Sequence, residues 1–181
     1  FDMASGKPIA NAEIRIEIYK TPENVYAKAA AGTGDKDGRF EVANIPGGHA
    51  RVNAAAPGYA PRMIGYEEFK DGESRKLTIE LSKSVKLSGI VTDGNGTPLA
   101  GIVVRTSNTM GIDGRGYQLP EAPQTKTDDT GHFTINDLPT GYGQMWTYAT
   151  GFFQQDGLKL HKFPTDAPLT IQMVATGVIK G

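Results

Sequence analysis

The 181 residues include no cysteine, which excludes disulfide staples, thiolate zinc sites and a cysteine nucleophile. Neither sign of charge is in excess: 19 Lys and Arg stand against 20 Asp and Glu, a net charge of −1. A chain without a basic field has little to hold a phosphate backbone, so nucleic acid is not an expected partner. No apolar run reaches the roughly eighteen residues of a membrane-spanning helix, and no signal peptide is visible in this segment. Histidine is scarce as well. His49, His132 and His161 are spaced like neither H-E-x-x-H nor a facial triad, so no metal site is expected. A G-x-S-x-G elbow, a Walker loop and a G-x-G-x-x-G fingerprint are all absent, and neither an enzyme nor a cofactor is expected.

Turn residues are plentiful, with 23 Gly and 11 Pro, and they punctuate short alternating stretches. Residues 127–153 set the pattern. Asp128-Asp129-Thr130-Gly131 signals a tight turn, and Phe133 and Ile135 then alternate with His132 and Thr134 as in a half-buried strand. Leu138-Pro139-Thr140-Gly141 turns the chain again. Met145, Thr147 and Ala149 then alternate with Gln144, Trp146 and Tyr148. The same sequence of signals occurs earlier. Residues 35–48 align without gaps to residues 128–141 at a constant offset of 93, and Ala56, Gly58 and Tyr59 continue to Ala149, Gly151 and Phe152. Asp2, Gly6, Pro8, Ile9 and Ala10 match Asp93, Gly96, Pro98, Leu99 and Ala100, while Leu77-Thr78-Ile79 matches Leu169-Thr170-Ile171. A repeat of about ninety residues is too long for a solenoid unit and suits a small domain.

The ordered motifs resemble the carboxypeptidase regulatory-like domain, one of the transthyretin-like β-sandwiches and close to the collagen-adhesin B-type repeats. Gly89-Ile90-Val91-Thr92-Asp93, Pro98-Leu99-Ala100-Gly101, Thr127-Asp128, Gly131-His132-Phe133, Leu138-Pro139-Thr140-Gly141 and Gly151-Phe152 carry the resemblance in the second repeat. The first carries the same set from Asp2 onward. The resemblance implies an all-β fold of two tandem antiparallel transthyretin-like (prealbumin/Ig-like) sandwiches, each of about seven strands. It implies no catalytic activity. Collagen-adhesin relatives often carry a Lys–Asn isopeptide crosslink with an acid on the strand before A-P-x-G-Y. Neither Arg51-Val52-Asn53-Ala54-Ala55 nor Gln144-Met145-Trp146-Thr147-Tyr148 supplies that acid, so no crosslink is expected.

On this reading residues 1–83 form one repeat, 84–176 a second, and 177–181 begin a third or a linker. The first strand of repeat one is nearly absent, because only Phe1 precedes Asp2, whereas Lys86-Leu87-Ser88-Gly89-Ile90-Val91 precedes Asp93. Val178-Ile179-Lys180-Gly181 stands where Lys86-Leu87-Ser88-Gly89 stands one repeat earlier. The chain therefore reads as a piece of a longer polypeptide, and this stub as a strand able to add to a neighbouring copy. Residues 27–33 are expected to be extended by their repeat register, although Thr21-Pro22-Glu23 also reads as a helix start, leaving a helical turn open at 22–27. Residues 108–120, rich in glycine and without a clear period, are expected to be a surface loop.

Asp35-Lys36-Asp37-Gly38 resembles the start of a calcium loop, but its Gly comes too early and the bidentate Glu is lacking, so a hairpin turn is the stronger reading. The most informative stretch is the strand ending at Ala149. If Met145, Thr147 and Ala149 face the core, then Tyr142, Gln144, Trp146 and Tyr148 face out, where repeat one has His49, Arg51, Asn53 and Ala55. The fold does not require that aromatic stripe, and exposed aromatics stack on sugar rings or anchor proteins. The candidate ligand-binding residues are Tyr142, Gln144, Trp146 and Tyr148, with Arg115 and Tyr117 from the adjacent loop. The alternatives are that the loop or repeat one covers the stripe, or that the register is inverted. The expected function is a non-catalytic spacer and ligand- or protein-binding platform in an exported, cell-surface or periplasmic bacterial protein. Its partners would be flanking domains of the same polypeptide and a glycan or protein ligand. The alternative is a carbohydrate-binding accessory module of a secreted glycan-active or peptidase enzyme.

Overall fold

The computed structural model describes residues 1–20, 23, 25–155 and 159–177. The Val178–Gly181 stub and most of the possible helix start lie outside them. Among the described residues there is no helix, and the strands group into two units. Unit 1 comprises Phe1–Lys83 with Tyr117–Pro120, and unit 2 comprises Ser84–Gly116 with Glu121–Gly181.

Unit 1 is built on the antiparallel sheet β2-β1-β3-β4, formed by β1 (Glu13–Lys20), β2 (Val25–Thr33), β3 (Gly48–Ala55) and β4 (Arg62–Phe69). Alternation sets its inner face. Ile14, Ile16 and Ile18 of β1 and Ala50, Val52 and Ala54 of β3 are all buried, while their sequence neighbours are not. Residues 27–33 are extended, as their register requires: pairing with β1 overrides the helical preference of Ala29-Ala30-Ala31.

Opposite the sheet, Ile79 and Leu81 are buried, and Phe40, Val42, Ile45 and Leu77 pack half-buried against the same core. Residues 39–45 and 77–80 are not in regular strands, so among the described residues unit 1 has four strands rather than about seven. The shortfall has a simple reason: among the described residues these segments have no neighbouring strand to bond to. Only at one end does residue pairing appear, where Asp2 and Leu81 form a parallel bridge.

Unit 2 comprises β5 (Ser84–Thr92), β6 (Val103–Gly111), β7 (Gln124–Lys126), β8 (His132–Pro139), β9 (Gly141–Tyr148), β10 (Phe152–Gln154), β11 (Leu160–Phe163) and β12 (Leu169–Ala175). They form two sheets, ordered β10-β12-β5-β8 and β11-β9-β6-β7. The core lies between them. Leu87, Val91, Phe133, Ile135, Ile171 and Met173 come from the first sheet, and Val104, Met145 and Phe163 from the second. β5 is parallel to β12, antiparallel to β8, and crosses both at Gly89. A methyl group at Gly89 would sit 2.6 Å from the Phe133 ring and closer still to the Leu169 carbonyl, so only glycine fits there.

The segment 108–120 is not the single surface loop its composition suggests. β6 runs on to Gly111 through a bulge between Ser107 and Met110, with Asn108 in the left-handed region at φ 46°. A short turn follows. The chain then delivers Tyr117 into unit 1, where the ring is 1% exposed. Its hydroxyl donates to the Ala60 carbonyl (2.7 Å) and accepts from the Ser82 amide (3.2 Å), and the Arg62 guanidinium lies 5.0 Å from the ring centroid.

Candidate functional site

β9 has two faces. Gly141, Gly143 and Met145 are buried, and Tyr142, Trp146 and Tyr148 are exposed at 37%, 38% and 74%, with Gln144 between. Strand pairing then sets neighbours beside the outward residues. Arg105 of β6 lies opposite Trp146 and Val103 opposite Tyr148, and β7 places Gln124 next to Arg105. From the other sheet, the short strand β10 brings up Phe152 and Phe153. Gln154 ties the two edges together, its amide oxygen accepting from the Thr147 amide (3.0 Å) and the Thr147 hydroxyl (3.1 Å).

The result is an open groove of about 680 Å³, lined by Trp146, Tyr148, Phe152 and Phe153 with Val103, Thr147 and the polar Arg105, Gln124 and Gln154. The Trp146 indole is oriented by its N–H, which donates to Ser107 Oγ, and the Arg105 guanidinium lies 6.0 Å from the ring centroid. Among the described residues, Arg105 is the one permanently charged residue lining the groove, and no carboxylate or imidazole lines it. Such a surface offers flat apolar area with a few donors.

The six candidates of the sequence part company here. Trp146 and Tyr148 line the groove. Tyr142 and Gln144 share the outward face of β9 but lie along its β11 side, where Tyr142 pairs with Lys162 and Gln144 with Leu160. Asn108 donates to the Gln144 side-chain oxygen at 2.6 Å. Arg115 is on an exposed turn, ion-paired with Asp113 at 2.5 Å. Tyr117 is a correction. It belongs to the buried core of unit 1 and is unavailable to a ligand, because a large ring with two hydroxyl partners is more stable inside. Arg105, Gln124, Phe152, Phe153 and Gln154 escaped the sequence reading. Arg105 could have been found from its outward position on β6 once β6 was paired with β9.

Unit 1 presents different chemistry on the matching face. Glu17 accepts from Arg51 (2.5 Å) and Asn53 (3.0 Å), and the Arg51 guanidinium stacks 4.7 Å from the Tyr26 centroid. That face is closed by its own ion pair. Among the described residues, no group of three or more His, Cys, Asp or Glu side chains could hold a metal ion. No helix there is long and apolar enough to cross a membrane.

Comparison with known proteins bears on unit 1 first. Residues 1–82 match the model of the carboxypeptidase regulatory-like domain. No curated protein matches the chain in sequence. Among solved structures, the chain is similar to a shaft pilin of Lactobacillus rhamnosus GG, at 13% identity and a TM-score of 0.43 over 96% of this chain and 91% of the pilin. It is also similar to a minor pilin of Streptococcus agalactiae, at 14% identity and a TM-score of 0.44 over 97% and 87%. A streptococcal ancillary pilin gives 15% identity and a TM-score of 0.44 over 93% of this chain and 58% of that one. Both units keep corresponding turns by the same device. Asp35 Oδ1 accepts from the Asp37 and Arg39 amides, as Asp128 Oδ1 does from Thr130 and His132 in unit 2.

Proposed function

We propose that the chain is a pair of non-catalytic β-sandwich modules, both of the carboxypeptidase regulatory-like kind, within a larger exported or cell-surface bacterial protein. One module acts as spacer, and the other presents a ligand-binding face. Extending the family to unit 2 is supported by the gap-free repeat of residues 35–48 at residues 128–141. The single observation that carries the binding role is the aromatic groove on unit 2, set against the self-paired Glu17–Arg51–Asn53 surface at the matching place in unit 1. A face that only had to be soluble would not keep Trp146, Tyr148 and Phe153 exposed side by side.

A glycan is the ligand this lining favours over an apolar peptide. Flat rings suit the apolar faces of sugars, and Arg105 and Gln124 offer donors to hydroxyl groups beside them. The experiment is a glycan-array screen with the wild-type chain and with Trp146→Ala. Binding should be lost in the variant, with its melting temperature within about 3 °C of wild type, as for an exposed side chain. A large drop in melting temperature would make Trp146 a structural residue and remove the proposed face.

A further inference from the structure

Residues 40–45, residues 72–75 and Leu77 of unit 1 line a groove of about 460 Å³, together with Ile16 and Phe69. Phe40, Val42 and Ile45 reach the core from one wall and Leu77 from the other, yet all four are only half-buried. Among the described residues, neither 40–46 nor 76–78 makes a backbone–backbone hydrogen bond. Two stretches of peptide donors and acceptors thus run along a channel of mixed polar and apolar lining, and a pairing strand is what satisfies such an arrangement.

Unit 2 shows which strand fits. There β5 lies between β12 and β8, parallel to one and antiparallel to the other. The repeat places Phe40 at Phe133, Val42 at Ile135, Leu77 at Leu169 and Ile79 at Ile171. The register carries over too. Thr92 pairs with Gln172 in unit 2, and the parallel bridge between Asp2 and Leu81 is the next pair of that same register in unit 1. Leu87, Gly89 and Val91 point inward from β5, and the Phe133 ring and the Leu169 carbonyl leave no room for a side chain at Gly89. Phe40 and Leu77 stand at those two positions in unit 1.

We infer that this groove receives one extended polypeptide strand of the pattern apolar–polar–Gly–polar–apolar, parallel to residues 77–79 and antiparallel to residues 40–45. Its two flanking apolar residues fill the space above Ile16 and Phe69, and its backbone bonds to both walls. The glycine is the specificity element, because any side chain there meets the Phe40 ring. The occupant is therefore a β5-like segment of polypeptide rather than an apolar small molecule.

The probe is the capped peptide SVKLSGIV, the sequence of residues 84–91, which would end where Phe1 begins. Titrated into the full 181-residue chain, it should bind saturably and slow hydrogen exchange at residues 40–45 and 77–79. The same peptide carrying the equivalent of Gly89→Val should bind about ten-fold more weakly or worse, since overpacking at a buried site has at least that effect. The protein is identical in both arms, so no folding defect can imitate the difference. If the chain self-associates through this groove, the glycine peptide should dissociate it. Equal binding of both peptides, protection at residues 133–135 instead of 40–45, or self-association indifferent to the peptide would each overturn the inference.

Discussion

Asp128 sets the turn ahead of β8 through one oxygen atom. Its Oδ1 accepts from the Thr130 hydroxyl, the His132 amide and the Thr130 amide, and these bonds hold its carboxyl below the usual carboxylate range. Asp93 is lowered by the amides of Thr97 and Asn95, and Asp35 by those of Arg39 and Asp37. Asp2 repeats the motif at lower exposure, lowered chiefly by the Ser5 amide. A depressed carboxyl contributes stability that is fully present above the unfolded value of about 3.9 and is lost as pH falls through the lower folded value. The acid limb of a melting-temperature profile should therefore begin below about pH 4. Asp128→Asn, which cannot ionise, should flatten that limb by lowering the neutral-pH melting temperature while leaving the acid value nearly unchanged. Tyr117 gives the alkaline counterpart. Burial pushes its phenol up to about 12. Its stabilising effect is complete below the unfolded value of about 10 and is lost as pH rises towards 12. Tyr117→Phe should lose the highest-pH step in a phenolate absorbance titration and lower stability by about 1–3 kcal/mol, from the two buried partners left unsatisfied.

At the scale of the element, β9 concentrates core and surface roles in one strand. Met145 is fully buried and Tyr148 is mostly exposed, three positions apart on opposite faces. Met145→Ala should lower the unfolding free energy by about 2–5 kcal/mol through lost packing and a cavity, whereas Tyr148→Ala should stay within about 0.5 kcal/mol. Chemical denaturation followed by tryptophan fluorescence measures both. The alternation was legible in the sequence because period 2 is a local property, whereas which side faces the core is settled by the structure, where Met145 is buried and Trp146 and Tyr148 are exposed. What borders the stripe was not legible. Phe152 and Phe153 read as the close of a repeat motif, and only the pairing of β10 with β12 carries them to the groove. Tyr117 misled for a related reason. Nothing within a glycine-rich segment announces that one ring will be buried against Ala60, some fifty-seven positions earlier in the chain.

On the scale of the molecule, the repeat was the informative signal, and it gave the all-β class, the turn positions and most of both cores. Val52, Ile79 and Leu81 are buried, as are Phe133, Ile135, Met145, Ile171 and Met173. Phe40 and Val42 are only half-buried, because their segment borders a groove instead of a bonded neighbour. Strand count in unit 1 was beyond the pattern for the same reason, since alternation marks which side chains face inward but not whether the backbone is paired. One arrangement has a practical consequence for dissection. Unit 1 is discontinuous in sequence, because four of its residues, Tyr117–Pro120, come from far beyond Lys83. A protease nick or truncation at the Lys83–Ser84 junction is therefore not a clean separation of two modules. The released N-terminal piece would be without the ring that caps the Ala60 carbonyl and the Ser82 amide, and the remainder would carry that ring away with it.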